Sequence, residues 1–253
     1  EGWYYYCYAK IPCAMSPEVL RSVIYIRKSK TITGIAQTKD IKVWESRSEN
    51  IIEEIWAPEL HNINGKWYIY YAGGDSSHMQ QRMYVLEGIG KDPLGEYVSK
   101  GKISDTTDRW AIDGTVLQDK DNLYFLWSGD HNIEEYYHEQ RIYIAPMVNP
   151  WTISGKRICI AKPTYAWEKK GYAPINEGPQ VVWRNRKVFV FYSASHSMCD
   201  DYCLGFIKNV DGDFLNPKSW VKHKKPLLCT TEYVAGPGHG SLTKSVVGAE
   251  DWI

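Results

Sequence analysis

The feature that most limits what this chain can fold into is a motif that recurs four times along it. The stretches are Trp56-Ala57-Pro58-Glu59-Leu60-His61, Trp110-Ala111-Ile112-Asp113-Gly114-Thr115, Ala173-Pro174-Ile175-Asn176-Glu177-Gly178-Pro179-Gln180 and Gly236-Pro237-Gly238-His239-Gly240-Ser241. Aligned, they place Glu59, Asp113, Glu177 and His239 in one column. A member recurs about every sixty residues, and a period of that size indicates a repeat architecture. In the third stretch a carboxylic acid sits between an Asn and a Gly-Pro pair and precedes the apolar run Val181-Val182-Trp183. This reads as a strand that carries Glu177 at its mouth and then enters a core. Gly178 lets another group approach closely because it has no side chain. Pro179 removes a backbone donor and argues against a helix.

Three further pieces accompany each motif. An aromatic strand follows a tight turn: 2–9, 66–72 after Asn64-Gly65, 123–128 after Asp121-Asn122, and 187–194. Asn-Gly and Asp-Asn pairs are hairpin signals because these residues tolerate positive φ. A third strand ends in a turn (23–27, 83–87, 141–145, 203–207), and a short outer strand closes the unit (41–44, 97–100, 157–161, 221–228). No segment has helical periodicity. Four strands per unit at this period is the signature of a β-propeller, with the inner strand of each blade on the central axis. The expectation is an all-β, five-bladed β-propeller forming one domain over residues 1–253. Its first blade lacks the inner strand and its last stops in the second strand, so both are incomplete in this chain.

Composition narrows the partners. With 30 basic and 30 acidic residues the formal charge is zero, which gives no electrostatic footprint for nucleic acid or an anionic membrane. There is no apolar run of roughly 18 residues and no signal peptide in the residues given. The 11 Trp and 19 Tyr against 5 Phe are the outlier. Such side chains pack well in strands and also stack on sugar rings. The six Cys form no Cys-x-x-Cys pair, so a zinc site is not expected. Cys7–Cys13 and Cys199–Cys203 are the pairings that an exported protein would allow.

The motifs resemble those of glycoside hydrolase family 43, in that family's order and spacing and over essentially the whole chain. The resemblance implies a five-bladed propeller and an inverting hydrolase of arabinofuranosides or xylosides in plant cell-wall polysaccharides. Glu177-Gly178-Pro179 looks most like the exo-acting α-L-arabinofuranosidase branch, which releases terminal arabinofuranosyl residues from arabinan and arabinoxylan. Secretion, a carbohydrate partner, and no cofactor for the chemistry are implied with it. Inverting hydrolysis needs a protonated carboxylic acid and an ionised carboxylate base on opposite sides of the bond, roughly 6.5–9.5 Å apart. By resemblance Glu177 is the general acid, and Asp113 orients it and tunes its pKa.

Trp56, Ile112 and His239 match substrate-binding positions. For Trp56 the apolar wall beneath the terminal sugar and plain core are both open readings. His239 matches an axial histidine that holds a metal ion, usually calcium, directly or through water; a purely structural histidine is the other reading. Glu59 is expected to be structural. The family's base is an Asp in an Asp-Pro pair on the first inner strand, which no residue here matches, so residues 1–253 alone are expected to be unstable and to hydrolyse little. A β-xylosidase of the same fold, a non-catalytic glycan-binding propeller and a protein-interaction propeller are the competing readings. Converging carboxylates argue against the last.

Overall fold

A computed structural model describes residues 2–12, 21–46, 54–75, 78–130, 139–245 and 248–253. Among these residues the regular elements are strands, apart from three short 3₁₀ turns at 33–37, 166–168 and 217–219. The first sheet holds β1 (Tyr4–Lys10), β2 (Val23–Ser29) and β3 (Ile41–Glu45). The second holds β4 (Glu54–Ile63), β5 (Lys66–Gly74), β6 (Arg82–Gly88) and β7 (Tyr97–Ile103). The third holds β8 (Ala111–Asp119), β9 (Asn122–Asp130) and β10 (Gln140–Asn149), with β11 (Thr152–Ile153) and β12 (Ile158–Ala161) both on β10. The fourth holds β13 (Asn176–Arg184), β14 (Lys187–Ala194), β15 (Cys203–Asn209) and β16 (Trp220–Lys222). A two-stranded pair follows, β17 (Thr243–Lys244) with β18 (Asp251–Trp252). Every pairing within these sheets is antiparallel and, apart from β12 on β10, joins sequence neighbours, the up-and-down order of propeller blades.

Period-two geometry decides how the sheets stack. Along β5, Tyr68, Tyr70 and Ala72 enter the core shared with Phe125, Trp127 and Tyr143 of the third sheet. The intervening Ile69 and Tyr71 enter the core shared with Ile24, Ile26 and Val43 of the first. Both faces are buried, which is why this strand reads as an unbroken aromatic run and not as an apolar–polar alternation. The third and fourth sheets share Leu117, Leu126, Ile142 and Ile144 with Val188, Val190, Tyr192 and Ile207. Burying each such aliphatic side chain contributes about 1.5–3 kcal/mol. Face-to-face stacking leaves the first strands of successive sheets adjacent: β4 packs on β8, β8 on β13, and β1 on β4. The turn at Asn64 (φ 52°) and Gly65 (φ 80°) is as expected; at the next hairpin the left-handed residue is Lys120 (φ 53°) and not the Asp121-Asn122 pair, and the fourth sheet turns at Asn185 (49°) and Arg186 (61°).

The column of aligned motif residues needs correction. Each inner strand carries a bulge at its motif, between Trp56 and Glu59, between Ile112 and Thr115, and between Glu177 and Gln180. The residue at each kink is left-handed: Ala57 at φ 43°, Asp113 at 56°, Gly178 at 58°, and in the fourth motif His239 at 51°. Structurally, therefore, Glu177 corresponds to Ile112 and Trp56, and Asp113 corresponds to Gly178 and Ala57. Glu59 corresponds to Thr115 and Gln180, two steps further down the strand. All three strands bulge at the same point, and alignment by residue type matched carboxylates that lie before, in and after it.

Two smaller expectations also change. The fourth outer strand ends at Lys222 instead of Leu228, since Leu228 makes only an isolated bridge to Leu204. Cys199 and Cys203 are free thiols, so that pairing is not formed, and Cys13 lies outside the described residues.

Candidate active site

The bulges aim two neighbouring inner strands at one point. In β8 the left-handed turn at Asp113 directs its carboxylate to β13, where Oδ2 accepts the backbone N–H of Gly178 at 3.0 Å. Left-handed backbone at a non-glycine residue costs energy, least for Asp and Asn, and concentrates at functional sites. In β13, Glu177 precedes that same Gly178, so the two carboxyl groups belong to one cluster. Tyr202 donates its hydroxyl to Glu177 Oε1 at 2.7 Å and lies 3.3 Å from His239 Nδ1. His239 Nε2 stands 3.9 Å from Asp113 Oδ1. Its backbone N–H donates to Ser193 Oγ at 2.6 Å, and Ser193 is the β14 residue paired with Glu177. Asp113 and Glu177 are 6% and 7% exposed, whereas the His239 side chain is 44% exposed.

These groups bear on a cavity of about 600 Å³, whose wall includes Trp56, Trp110, Ile112, Ile175, Glu177 and His239. On its rim Trp56 meets His78 edge-on at 5.1 Å, and Trp110 Nε1 donates to the His78 carbonyl at 2.9 Å. The volume lies in the range of small-molecule sites.

Burial, and next the charge of Asp113, push the Glu177 carboxyl up to about 7, against the pull of His239 and the Tyr202 hydroxyl. Burial raises Asp113 as well, while His239 and the Gly178 N–H draw it down. The Asp113 charge raises His239 above its usual value, and burial opposes this. Burial and the neighbouring Glu177 raise the Tyr202 phenol, which therefore stays a donor. With Oε1 held by Tyr202, the second oxygen of Glu177 is left to carry a proton. A buried carboxylic acid titrating near neutrality beside a second carboxyl group has the pattern of a general acid with its modulator.

Asp113, Glu177, His239, Trp56 and Ile112 all line this cavity. Glu59 does not line this cavity: it pairs with His61 Nε2 at 2.7 Å and accepts from Gln180 Nε2 at 3.4 Å, and it borders a second cavity together with Asp113 and His239. Sequence reasoning missed Tyr202, Ser193, His78 and His196. Tyr202 stands outside every repeat motif, and only the fold brings it beneath Glu177. Among the described residues no group of three or more His, Cys, Asp or Glu is placed to hold a metal ion. The His239 ring faces one carboxylate and one phenol, so a calcium ion beside it would draw most of its six to eight oxygen ligands from water.

The family model of glycosyl hydrolases family 43 matches residues 1–253, and the chain belongs to this family. It is 36% identical over 256 residues to alpha-L-arabinofuranosidase 43 of Humicola insolens, covering 99% of this chain and 51% of that protein. It is 37% identical over 257 residues to an extracellular exo-α-(1→5)-L-arabinofuranosidase of Streptomyces avermitilis, again 99% of this chain and 51% of the relative. The chain thus spans about half the length of these two relatives. Its fold matches the crystal structure of an alpha-L-arabinofuranosidase from Lactobacillus brevis with a TM-score of 0.86 at 33% identity, over 99% of this chain and 78% of that one.

Proposed function

We propose that this chain carries the acid half of an inverting α-L-arabinofuranosidase that releases terminal arabinofuranosyl residues from arabinan or arabinoxylan. The observation that carries the reading is Glu177, buried at the cavity wall with its carboxyl pushed up to about 7 by burial and by Asp113. In this role Glu177 protonates the departing glycosidic oxygen. Asp113 holds the Gly178 N–H and raises the affinity of Glu177 for its proton, and Tyr202 orients the carboxyl. Trp56 and Ile112 supply apolar wall for the sugar ring, and His239 a polar edge. The reaction needs no cofactor. The named relatives favour arabinofuranose over xylose, and two that are called extracellular favour secretion.

Five blades in one domain is part of the same proposal. It is supported by the β17–β18 pair beyond the fourth sheet and by the edge of β1 that has no partner strand among the described residues. Residues 3–7 at that edge face a cavity of about 540 Å³ lined also by Glu59, Gln180 and Leu242. An inner strand placed there would close the ring and would bring the carboxylate base to the face opposite Glu177.

The experiment is Glu177→Ala in the full-length protein, assayed on an arabino-oligosaccharide and on an arabinoside with an activated aryl leaving group. A good leaving group needs little protonation, so turnover of the oligosaccharide should fall about 10²–10⁴-fold and that of the aryl substrate far less. Equal losses on both would remove Glu177 from the acid role.

A further inference from the structure

The residue before Glu177 is held by a buried ionic cluster. Glu168 is fully buried. Its Oε2 accepts the backbone N–H groups of Thr164 at 2.7 Å and Tyr165 at 2.8 Å. Its Oε1 accepts Asn176 Nδ2 at 3.0 Å, Tyr192 Oη at 2.9 Å and Lys222 Nζ. Lys222 spends its other protons on Asn176 Oδ1 at 3.0 Å and on the Lys162 carbonyl at 2.6 Å. Asn176, also fully buried, thus has its amide gripped at both ends, and its backbone carbonyl accepts Ser128 Oγ of the neighbouring sheet at 3.1 Å. Burial pushes the Glu168 carboxyl up, but Lys222 and the backbone donors outweigh it and leave it below the usual range, hence ionised.

A buried ion pair of this kind adds little stability over apolar residues of the same volume, because desolvation offsets the attraction. What it supplies is a single geometry: every donor and acceptor is matched, and any shift breaks several bonds together. Its placement is equally telling. Lys222 lies on β16, the outermost strand of the fourth sheet, yet its ammonium reaches the first residue of β13, the innermost. The next residue along β13 is Glu177.

We propose that the Glu168–Lys222–Asn176 cluster fixes the mouth of β13 and thereby positions the Glu177 carboxyl against the leaving-group oxygen. Glu168 and Lys222 are positioning residues that act through Asn176; neither touches substrate. The inference rests on Glu177 being the acid. A carboxyl displaced by about 1 Å from its productive place loses on the order of 10²-fold in rate.

The test uses the full-length protein with the double substitution Glu168→Gln and Lys222→Met, which removes both charges at similar volume. It is assayed on an α-1,5-linked arabinobiose and on an activated aryl arabinoside, with thermal melting alongside. The expected result is a fall of about 10- to 100-fold in kcat on the disaccharide, a much smaller fall on the aryl substrate and a KM within about twofold of the parent. Should the double variant melt far below the parent, Asn176→Ala carries the same test, since it frees the β13 mouth while leaving Glu168 and Lys222 paired. Parental kcat on both substrates, or equal losses on both, in a folded variant overturns the proposal. Glu177→Ala in parallel separates the two readings. If it shows the leaving-group dependence and the cluster variants do not, positioning fails and the acid stands; if it shows none, the acid reading itself fails.

Discussion

At the scale of single residues, the proposed acid role makes the proton on Glu177 govern rate, and its burial makes the same proton govern stability. Its carboxyl is raised to about 7, first by burial and then by Asp113, so the acid form prevails below that pH. Turnover of substrates with poor leaving groups should decline as pH rises through about 7, while aryl substrates should show a weaker alkaline limb. The Tyr202 hydroxyl opposes the shift by donating to the ionised carboxyl. Tyr202→Phe should therefore move the alkaline limb to higher pH; an unmoved or lowered limb would contradict the hydrogen bond assigned here. Stability follows with a definite sign. The folded state holds the Glu177 proton more tightly than the unfolded chain, whose Glu titrates near 4.3. Stability is thus lost as pH rises from about 4.5 to about 7, and at pH 8 the ionised buried carboxyl costs on the order of 3 kcal/mol. Glu177→Gln, which keeps the shape and removes the charge, should raise the melting temperature by about 5–10 °C at pH 8 and hardly at all at pH 4. A larger gain at pH 4 than at pH 8 would reverse the assigned shift.

At the scale of elements, the bulged inner strand is the unit of the site, and it was only half legible. The strand, its turn and its entry into a core could be read from Gly178-Pro179 and the apolar run after them. The place of each carboxylate relative to the bulge could not, because all three strands bulge at the same point while Glu177 precedes the kink, Asp113 sits in it and Glu59 follows it. Hence Glu59, aligned with Asp113 and Glu177 by type, faces His61 and Gln180 instead. The fourth motif shows the same dependence on backbone. A Cβ added at Gly238 would stand 2.2 Å from the Tyr202 ring, whereas one at Gly65 meets nothing within 4 Å. Gly238→Ala should therefore push Tyr202 off Glu177, lowering the melting temperature and reducing turnover of poor-leaving-group substrates. Gly65→Ala, at φ +80°, should cost only the left-handed strain of about 1–2 kcal/mol and leave turnover unchanged. Equal activity losses in the two variants, measured on one oligosaccharide, would show that close packing of Tyr202 on Gly238 is not what holds the acid.

At the scale of the molecule, the repeat period foretold stacked antiparallel sheets because each sheet has two apolar faces and must be covered on both. Tyr70 and Tyr71, adjacent in sequence and buried in different cores, record that demand directly. The convergence on the axis was legible for the same reason: inner strands of stacked blades have nowhere else to lie. What periodicity cannot supply is the contact across the axis, such as Tyr202 on Glu177, or across a whole sheet, such as Lys222 on Asn176. Completion of the ring is the remaining consequence. Among the described residues β1 pairs on one side only, with β2, and its other edge looks into the cavity beside β4 and β13. An open edge of this kind recruits another strand, and in a closed ring that strand is the inner member of the same blade. In the full-length protein the amides of 4–10 should accordingly exchange with solvent as slowly as those of 66–74 in β5. In a polypeptide limited to residues 1–253 the alternate amides of β1 that point away from β2 should exchange within the time of the fastest loops, and the polypeptide should associate at high concentration. Slow exchange of those amides in the short polypeptide, with a monomeric mass, would mean that the edge is already covered and that a fifth inner strand is not needed.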